Sequence, residues 1–493
     1  MLFYSYYYII FLIVSLILFY SIKNIKHRNL VLTISSYIFY MSFRIEYGFL
    51  LFFSTIIDYI SAKKIHEENN AAKRKRYLIN SITLNLGLLF TFKYFLFFFK
   101  DYFSGNLLFL SKIPDYWFIL PIGISFYTFQ TMGYTIDVYK KRILPEKSFI
   151  DFSLFVSFFP QLVAGPIERA SRILPQLKDN KTLKYKNFVS GIRRIILGFF
   201  KKIVIANSMA LYVNTIFDNI YDYSGWSIIV GAFFFSNQVY NDFSGYADIA
   251  VGSAKLFDIK LIENFRFPIL SRSITDFFSR WHISLTNWFK TYLFPVLSPK
   301  GSSKLRILIS ICIILILSGI WHGAKLSYII WGFLFSFIFV LSAITTEIKK
   351  RSFKFFKIRG PFKLVIDIIF TNIILAYSAG FFRANSPKQA IYLGINCWKD
   401  FFYGIYYFLF NGPERFFFDI IKTQNISYSC FSILFLLSLL TPVLQLCYSG
   451  KINFKWLPVN VRVFAENVFY TLMIFSILLF SFFDKTDFLY FKF

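Results

Sequence analysis

Apolar runs of roughly twenty residues recur along this chain, and that recurrence leaves the backbone few solutions. A helix needs about twenty residues to cross the ~30 Å hydrocarbon layer of a bilayer. No water is available there to satisfy peptide groups, so only helices and closed barrels can span. The runs lack the strict in–out alternation of barrel strands, which leaves helices. Candidate spans fall at 4–22, 29–43, 47–62, 78–99, 117–137, 187–218, 226–241, 304–321, 326–346, 362–382, 427–447 and 464–483. The expected fold class is therefore an all-α polytopic integral membrane protein with about a dozen transmembrane or re-entrant helices. The first run, Leu2 to Tyr20, has neither a basic leader nor a small-residue cleavage site and reads as a retained span. No internal repeat is visible.

At 493 residues the length alone would suggest two to four soluble domains. Composition overrules it, because 56% of residues are hydrophobic and only 16% charged. The net charge of +28 does not point to nucleic acid. Its cations cluster between apolar runs, at Lys23, Lys26 and Arg28, at Lys63 and Lys64, at Lys73 to Arg76, at Lys140 to Arg142 and at Lys349 to Arg351. That distribution is the positive-inside pattern of cytoplasmic loops, with membrane lipid headgroups as partners. It places the Lys23–Arg28 loop inside and the N-terminus outside. The four cysteines, Cys312, Cys397, Cys430 and Cys447, share no close spacing. Neither a disulfide framework nor a metal motif follows from them.

Three stretches depart from ordinary spans. Residues 158–169, FFPQLVAGPIER, place two prolines and a glycine in an apolar run. Such backbone is tolerated at membrane depth only where protein or a wet cavity surrounds it. A re-entrant loop and an interfacial loop both remain open. Residues 271–294 begin with Ser273 three positions before Asp276, a helix-start signal. Ile274, Phe277, Phe278, Trp281, Leu285, Trp288, Phe289 and Tyr292 then form one stripe at three- and four-residue steps. This predicts a single amphipathic helix at the interface or re-entering the membrane. The third stretch, 305–341, is two apolar runs joined at Trp321-His322-Gly323. With Arg306 at the membrane edge, the sixteen residues to His322 span ~24 Å of helix, which keeps the imidazole within the hydrocarbon.

Histidine is costly in such surroundings unless paired or used, so an intramembrane imidazole is a candidate functional group. The chain has four histidines. His27 and His66 fall in polar loops, whereas His282 and His322 fall in aromatic, apolar sequence. One imidazole can act as general base toward a hydroxyl, and a second histidine or an arginine can orient or stabilise a carbonyl oxygen. Arg280 flanks His282, and Trp321 flanks His322. The stretch 240–248, YNDFSGYAD, adds Asp242 and Asp248 in apolar surroundings. They could orient an imidazole, bind a cation, or pair with Arg266, Arg272 or Arg280. Metal binding by the pair stays open, but two histidines without a nearby third ligand are poor support for it. Phosphate-binding glycine loops and serine-nucleophile motifs are missing from the sequence.

Four ordered motifs carry a resemblance: SFFPQLVAGPIERASRILPQL (157–177), YNDFSGYADIAVGSAKLFDIKLIENFRFP (240–268), SITDFFSRWHISLTNWFKTYL (273–293) and SGIWHGAKLSYIIWG (318–332). With FFRANSPKQA (381–390), they resemble the membrane-bound O-acyltransferase (MBOAT) family, in its bacterial alginate O-acetyltransferase branch, with teichoic-acid D-alanyl transferases as cousins. The resemblance covers roughly 115–385. It divides the chain into N-terminal transmembrane helices (1–115), a catalytic core (116–385) and a C-terminal interfacial and transmembrane segment (386–493). It implies helices around a central funnel, in the bacterial cytoplasmic (inner) membrane. The implied reaction takes an acyl group from a cytoplasmic thioester, such as acetyl-CoA or an acyl-carrier thioester, with no bound cofactor. The acceptor would be a hydroxyl of an exported polysaccharide or peptidoglycan, often reached through a partner O-acetyltransferase. D-alanyl transfer from a carrier protein, and transport without chemistry, are the alternatives. By resemblance His322 is the catalytic histidine and His282 its second, with Arg280, Trp321 and Asp242 as substrate-binding candidates. After Tyr292 the branch's usual Pro-Leu-Gly-Gly turn is replaced by Leu293 to Gly301, LFPVLSPKG.

Overall fold

In the computed structural model the described residues are 1–95, 121–223, 225–355, 360–399, 401–410, 412, 428–448 and 458–481. Among them every regular element is helical. Seven helices are long and apolar enough to cross a membrane: Ile45–Glu67, Ala71–Phe95, Tyr185–Asp218, Lys304–His322, Leu326–Thr346, Gly360–Arg383 and Val459–Phe480. Tyr6–Ser21 and Phe431–Leu444 are shorter apolar helices. The expected 226–241 span belongs to a much longer helix, Trp226–Leu256. Its second half carries Asp242 and Asp248, whose charge depresses hydropathy although both side chains are buried. Parts of the expected spans 78–99, 117–137 and 427–447 lie outside the described residues, as do the side chains of Cys430 and Cys447.

The chain forms two compact units, each assembled from separate segments. The first comprises Met1–Gly198, Tyr246–Asn264 and His282–Val296, and the second comprises Phe199–Gly245, Phe265–Trp281 and Leu297–Phe493.

In the first unit, Ile45–Glu67 packs against Ala71–Phe90 and Ile124–Tyr139. A polar knot joins the three. Asp58, fully buried, accepts hydrogen bonds from Ser81 (2.5 Å), Asn85 (2.9 Å) and Thr135 (3.1 Å). In hydrocarbon such interhelical bonds act as glue, because the alternative is an unsatisfied polar group. Asn24 and Asn70 cap the helices Ile25–Met41 and Ala71–Phe90 through their side-chain oxygens. Arg28 lies among the basic residues read as loop signals, yet its side chain is buried. It donates to the Asp179 carbonyl (2.7 Å) and sits 5.0 Å from the Phe19 ring centre.

The 158–169 stretch is likewise inside protein. Phe158 to Ile167 are buried, with Gly165 in backbone contact with Gln161 and Gly123 (φ 80°) against the Leu162 carbonyl. Burial in protein is the condition under which its irregular backbone can persist, and Pro160 and Pro166 account for the break in the helix.

In the second unit, Lys304–His322 and Leu326–Phe355 form a close antiparallel hairpin. Its helices touch through glycines. A Cβ on Gly332 would stand 2.9 Å from the Ile316 Cα, and one on Gly319 would run into the Tyr328 carbonyl. Small residues permit this approach, and close packing rather than water exclusion holds helices together in lipid.

Candidate functional site

His322 closes the Lys304–His322 helix, which Ser303 caps at its start by accepting the Arg306 N–H at 3.3 Å. Gly323 then runs extended, and its N–H returns to the Ile320 carbonyl at 3.1 Å. The imidazole is 7% exposed and lies in an aromatic box. Ring-centre distances are 5.1 Å to Trp321, 5.6 Å to Trp331 and 5.1 Å to Phe382, the last two nearly perpendicular. Edge-to-face packing of this kind is favourable and directional. Three chain segments thus orient one ring. Trp321, 4% exposed, is itself one wall.

The other candidates of this unit have ionic partners. Asp242 pairs with Lys202 at 2.7 Å, both side chains almost completely buried. Lys202 lies in a π-helical segment, Phe200–Ala206, of a membrane-length helix. Lys201 and Lys202 are adjacent lysines inside an apolar run, a sequence signal of buried polar pairing. Arg280 binds Asp276 four residues earlier, at 2.7 Å, with both groups about a quarter exposed. Its carbonyl accepts the Arg266 N–H at 2.9 Å.

The expected single helix over 271–294 is broken. Ser273 caps Ile274–Arg280 as anticipated, accepting the Asp276 N–H at 3.1 Å. Trp281 then turns extended and His282 left-handed (φ 44°, ψ 52°) before Ile283–Trp288 resumes. Stripe periodicity continues in register across the break, which is why the sequence hides it. A left-handed residue other than glycine costs roughly 1–2 kcal/mol, so surrounding structure must hold it.

His282 belongs to the first unit and is 2% exposed, its ring 6.2 Å from Phe126 and nearly parallel to it. Burial pushes its pKa down to about 3, because desolvation penalises the charged form, so the imidazole is neutral near pH 7. Asp248 meets Arg194 at 2.7 Å, and the same guanidinium grips Glu263 at 2.5 and 2.6 Å. Beside them the helices bearing Gly191 and Gly252 touch, with room for no Cβ. Both carboxylates of the 240–248 stretch are therefore paired, with cations of the Tyr185–Asp218 helix.

The same unit has a partly open cavity of about 210 Å³ lined by Gln130, Glu168, Arg172, Asn287, Trp288 and Tyr292, among others. Trp288 stacks on Phe129 (4.2 Å between ring centres) and donates to the Phe129 carbonyl at 2.7 Å. Tyr292 donates to Asp137 at 2.7 Å. Glu168 is 2% exposed and accepts the Ile262 N–H at 2.5 Å through one oxygen. Its other oxygen accepts no hydrogen bond among the described residues and lies 4.0 Å from Arg172. Burial raises its pKa to about 7. The lining offers cations, a carboxyl and flat aromatic faces to a small polar group. In place of the branch's Pro-Leu-Gly-Gly turn, a π-helical turn, Phe289–Leu293, leads into the short helix Phe294–Leu297.

Among the described residues no cluster of ligating side chains could hold a metal ion. Buried imidazoles and membrane-length helices define a polytopic membrane protein with candidate acid–base groups in its interior. Residues 144–379, which contain both histidines and the flanking candidates, match the membrane-bound O-acyltransferase (MBOAT) family. The chain is 34% identical over 395 residues to the peptidoglycan O-acetyltransferase of Helicobacter pylori, covering 75% of this chain and 73% of that protein. It is 35% identical over 322 residues to a probable alginate O-acetylase, AlgI, of Pseudomonas aeruginosa, covering 64% and 60%. A teichoic acid D-alanyltransferase of Bacillus subtilis is 30% identical over 254 residues, covering 46% and 62%. This chain belongs to the membrane-bound O-acyltransferase family.

Proposed function

We propose that this protein, in the bacterial cytoplasmic membrane, transfers an acetyl group from a cytoplasmic thioester to a hydroxyl of an exported polysaccharide or peptidoglycan. The observation that carries the reading is the buried, aromatic-boxed His322 inside the family-matched region. In the reaction, a ring nitrogen of His322 takes the hydroxyl proton as the hydroxyl oxygen attacks the thioester carbonyl. The C–S bond breaks, the ester forms, and the departing thiolate receives the proton. Neutral His282, the second histidine of the family motif, has an orienting or stabilising role. Trp321 lines the acyl site. Arg280 and Asp242, each in an ion pair, remain the candidates for substrate contact beside it. The donor is acetyl-CoA or an acyl-carrier thioester. A separate extracytoplasmic O-acetyltransferase completes delivery to the polymer.

D-alanyl transfer is the second reading, favoured by the similarity to the Bacillus subtilis D-alanyltransferase, which covers a smaller share of this chain than the peptidoglycan enzyme does. One comparison separates the two. Ester-linked acetate and D-alanine are measured on the surface polymers of wild type, a deletion strain and His322→Ala at matched membrane abundance. Loss of acetate in both mutants is the expected result. Loss of D-alanine alone transfers the assignment to the second reading, and normal esters with His322→Ala overturn the catalytic role.

A further inference from the structure

The short helix Ile283–Trp288 begins in an unusual way. The first N–H groups of any helix need acceptors from outside it, normally supplied by the side chain of the N-cap residue. His282 occupies that position and its side chain makes no capping bond. The acceptors come from Asn264, eighteen residues earlier and 1% exposed. Its backbone carbonyl takes the Ile283 N–H at 3.0 Å, and its Oδ1 takes the Ser284 N–H at 3.2 Å and the Ser284 hydroxyl at 2.9 Å. The preceding residue, Glu263, is held by the Arg194 guanidinium that also grips Asp248. The cap is therefore fastened, through the partly exposed Glu263, to the buried Arg194–Asp248 pair.

Capping from Asn264 holds the left-handed turn on which the imidazole sits. We infer that Asn264 is a positioning residue for acyl transfer, acting through His282. The inference rests on the role proposed for His282 above.

Asn264→Ala, Asn264→Asp, His282→Ala and the double variant His282→Ala/Asn264→Ala are compared in isolated native-strain membranes with acetyl-CoA as donor, normalised to protein abundance and thermal midpoint. Asn264→Ala should lower kcat about tenfold or more with the donor KM unchanged, since small misplacements of a reacting group cost that much. Asn264→Asp keeps the accepting oxygen and should recover most of the rate. In the His282→Ala background, removing Asn264 should cost nothing further. Full activity of Asn264→Ala, equal impairment of the alanine and aspartate variants, or an equal loss in both backgrounds overturns the inference. Should Asn264→Ala fail to accumulate, Asn264→Asp carries the test, and a tenfold fall in its kcat is the refuting result. A fully active His282→Ala removes the proposed role of His282 itself, whereas an impaired His282→Ala beside a normal Asn264→Ala removes only that of Asn264.

Discussion

At the scale of single residues, the chemistry assigned to His322 has a magnitude. A positioned general base contributes ~10²- to 10⁴-fold. His322→Ala should lower ester formation by that order while leaving membrane abundance unchanged, as read by polymer ester content and quantitative immunoblot. Glu168 makes a separate prediction through its pH dependence. Its folded pKa, about 7, lies above the ordinary carboxyl value of 4.5. The folded protein therefore binds more protons than the unfolded chain between these values, and stability falls as pH rises through that window. Glu168→Gln should raise the thermal midpoint in detergent at pH 8 and leave it nearly unchanged at pH 4.5. His282 works in the opposite sense. Its folded pKa, about 3, lies below 6.5, so its contribution is complete above 6.5 and erodes as pH falls toward 3. An equal midpoint difference for Glu168→Gln at both pH values would contradict the burial argument. Both histidines were visible in the sequence because imidazole is rare in apolar runs. The roles of Glu168 and Asn264 were not, because each depends on contacts with chain segments far away in sequence.

Among the elements, the 304–322 and 326–355 hairpin shows how a helix pair is specified without a hydrophobic driving force. Gly319→Val and Gly332→Val should each lower the thermal midpoint, since overpacking at a tight contact costs on the order of 1–3 kcal/mol. Surface-facing Gly301→Ala nearby has no neighbour within reach, although its φ of 85° will extract a smaller penalty. Differential scanning fluorimetry on the purified protein checks the ranking. The Lys202–Asp242 pair makes a sharper forecast. Lys202→Met alone removes a cation from a buried carboxylate, at up to roughly 3–5 kcal/mol, and Lys202→Met with Asp242→Leu should recover much of that loss. At this scale the sequence was most readable where helices were apolar throughout, and the ends of Lys304–His322 and Gly360–Arg383 fell within a few residues of expectation. It misled at 271–294, where periodicity persisted through a break made by backbone geometry at Trp281 and His282. It also stopped short at 241, because buried aspartates count as polar in any hydropathy window.

For the whole molecule, topology is the property that charge placement predicts. Lys73, Lys75 and Arg76 are exposed at the start of the Ala71–Phe95 span, as an anchoring cytoplasmic cluster requires. A cysteine placed at Lys73 should be labelled by a membrane-impermeant reagent only after the cytoplasmic face is opened. Labelling in intact cells would invert the assigned orientation. The buried ion pair adds a consequence in time. Lys202 and Asp242 are forty residues apart, so during synthesis the lysine leaves the ribosome forty residues ahead of its counter-ion. At ~5–20 residues per second that interval is about 2–8 s. Through it, a charged Lys202 is cheapest at the insertion machinery or at the headgroup boundary, where its ammonium stays solvated. Commitment of the 185–218 helix to the bilayer interior should therefore follow the arrival of the later one, and assembly of this part of the protein should be an ordered event.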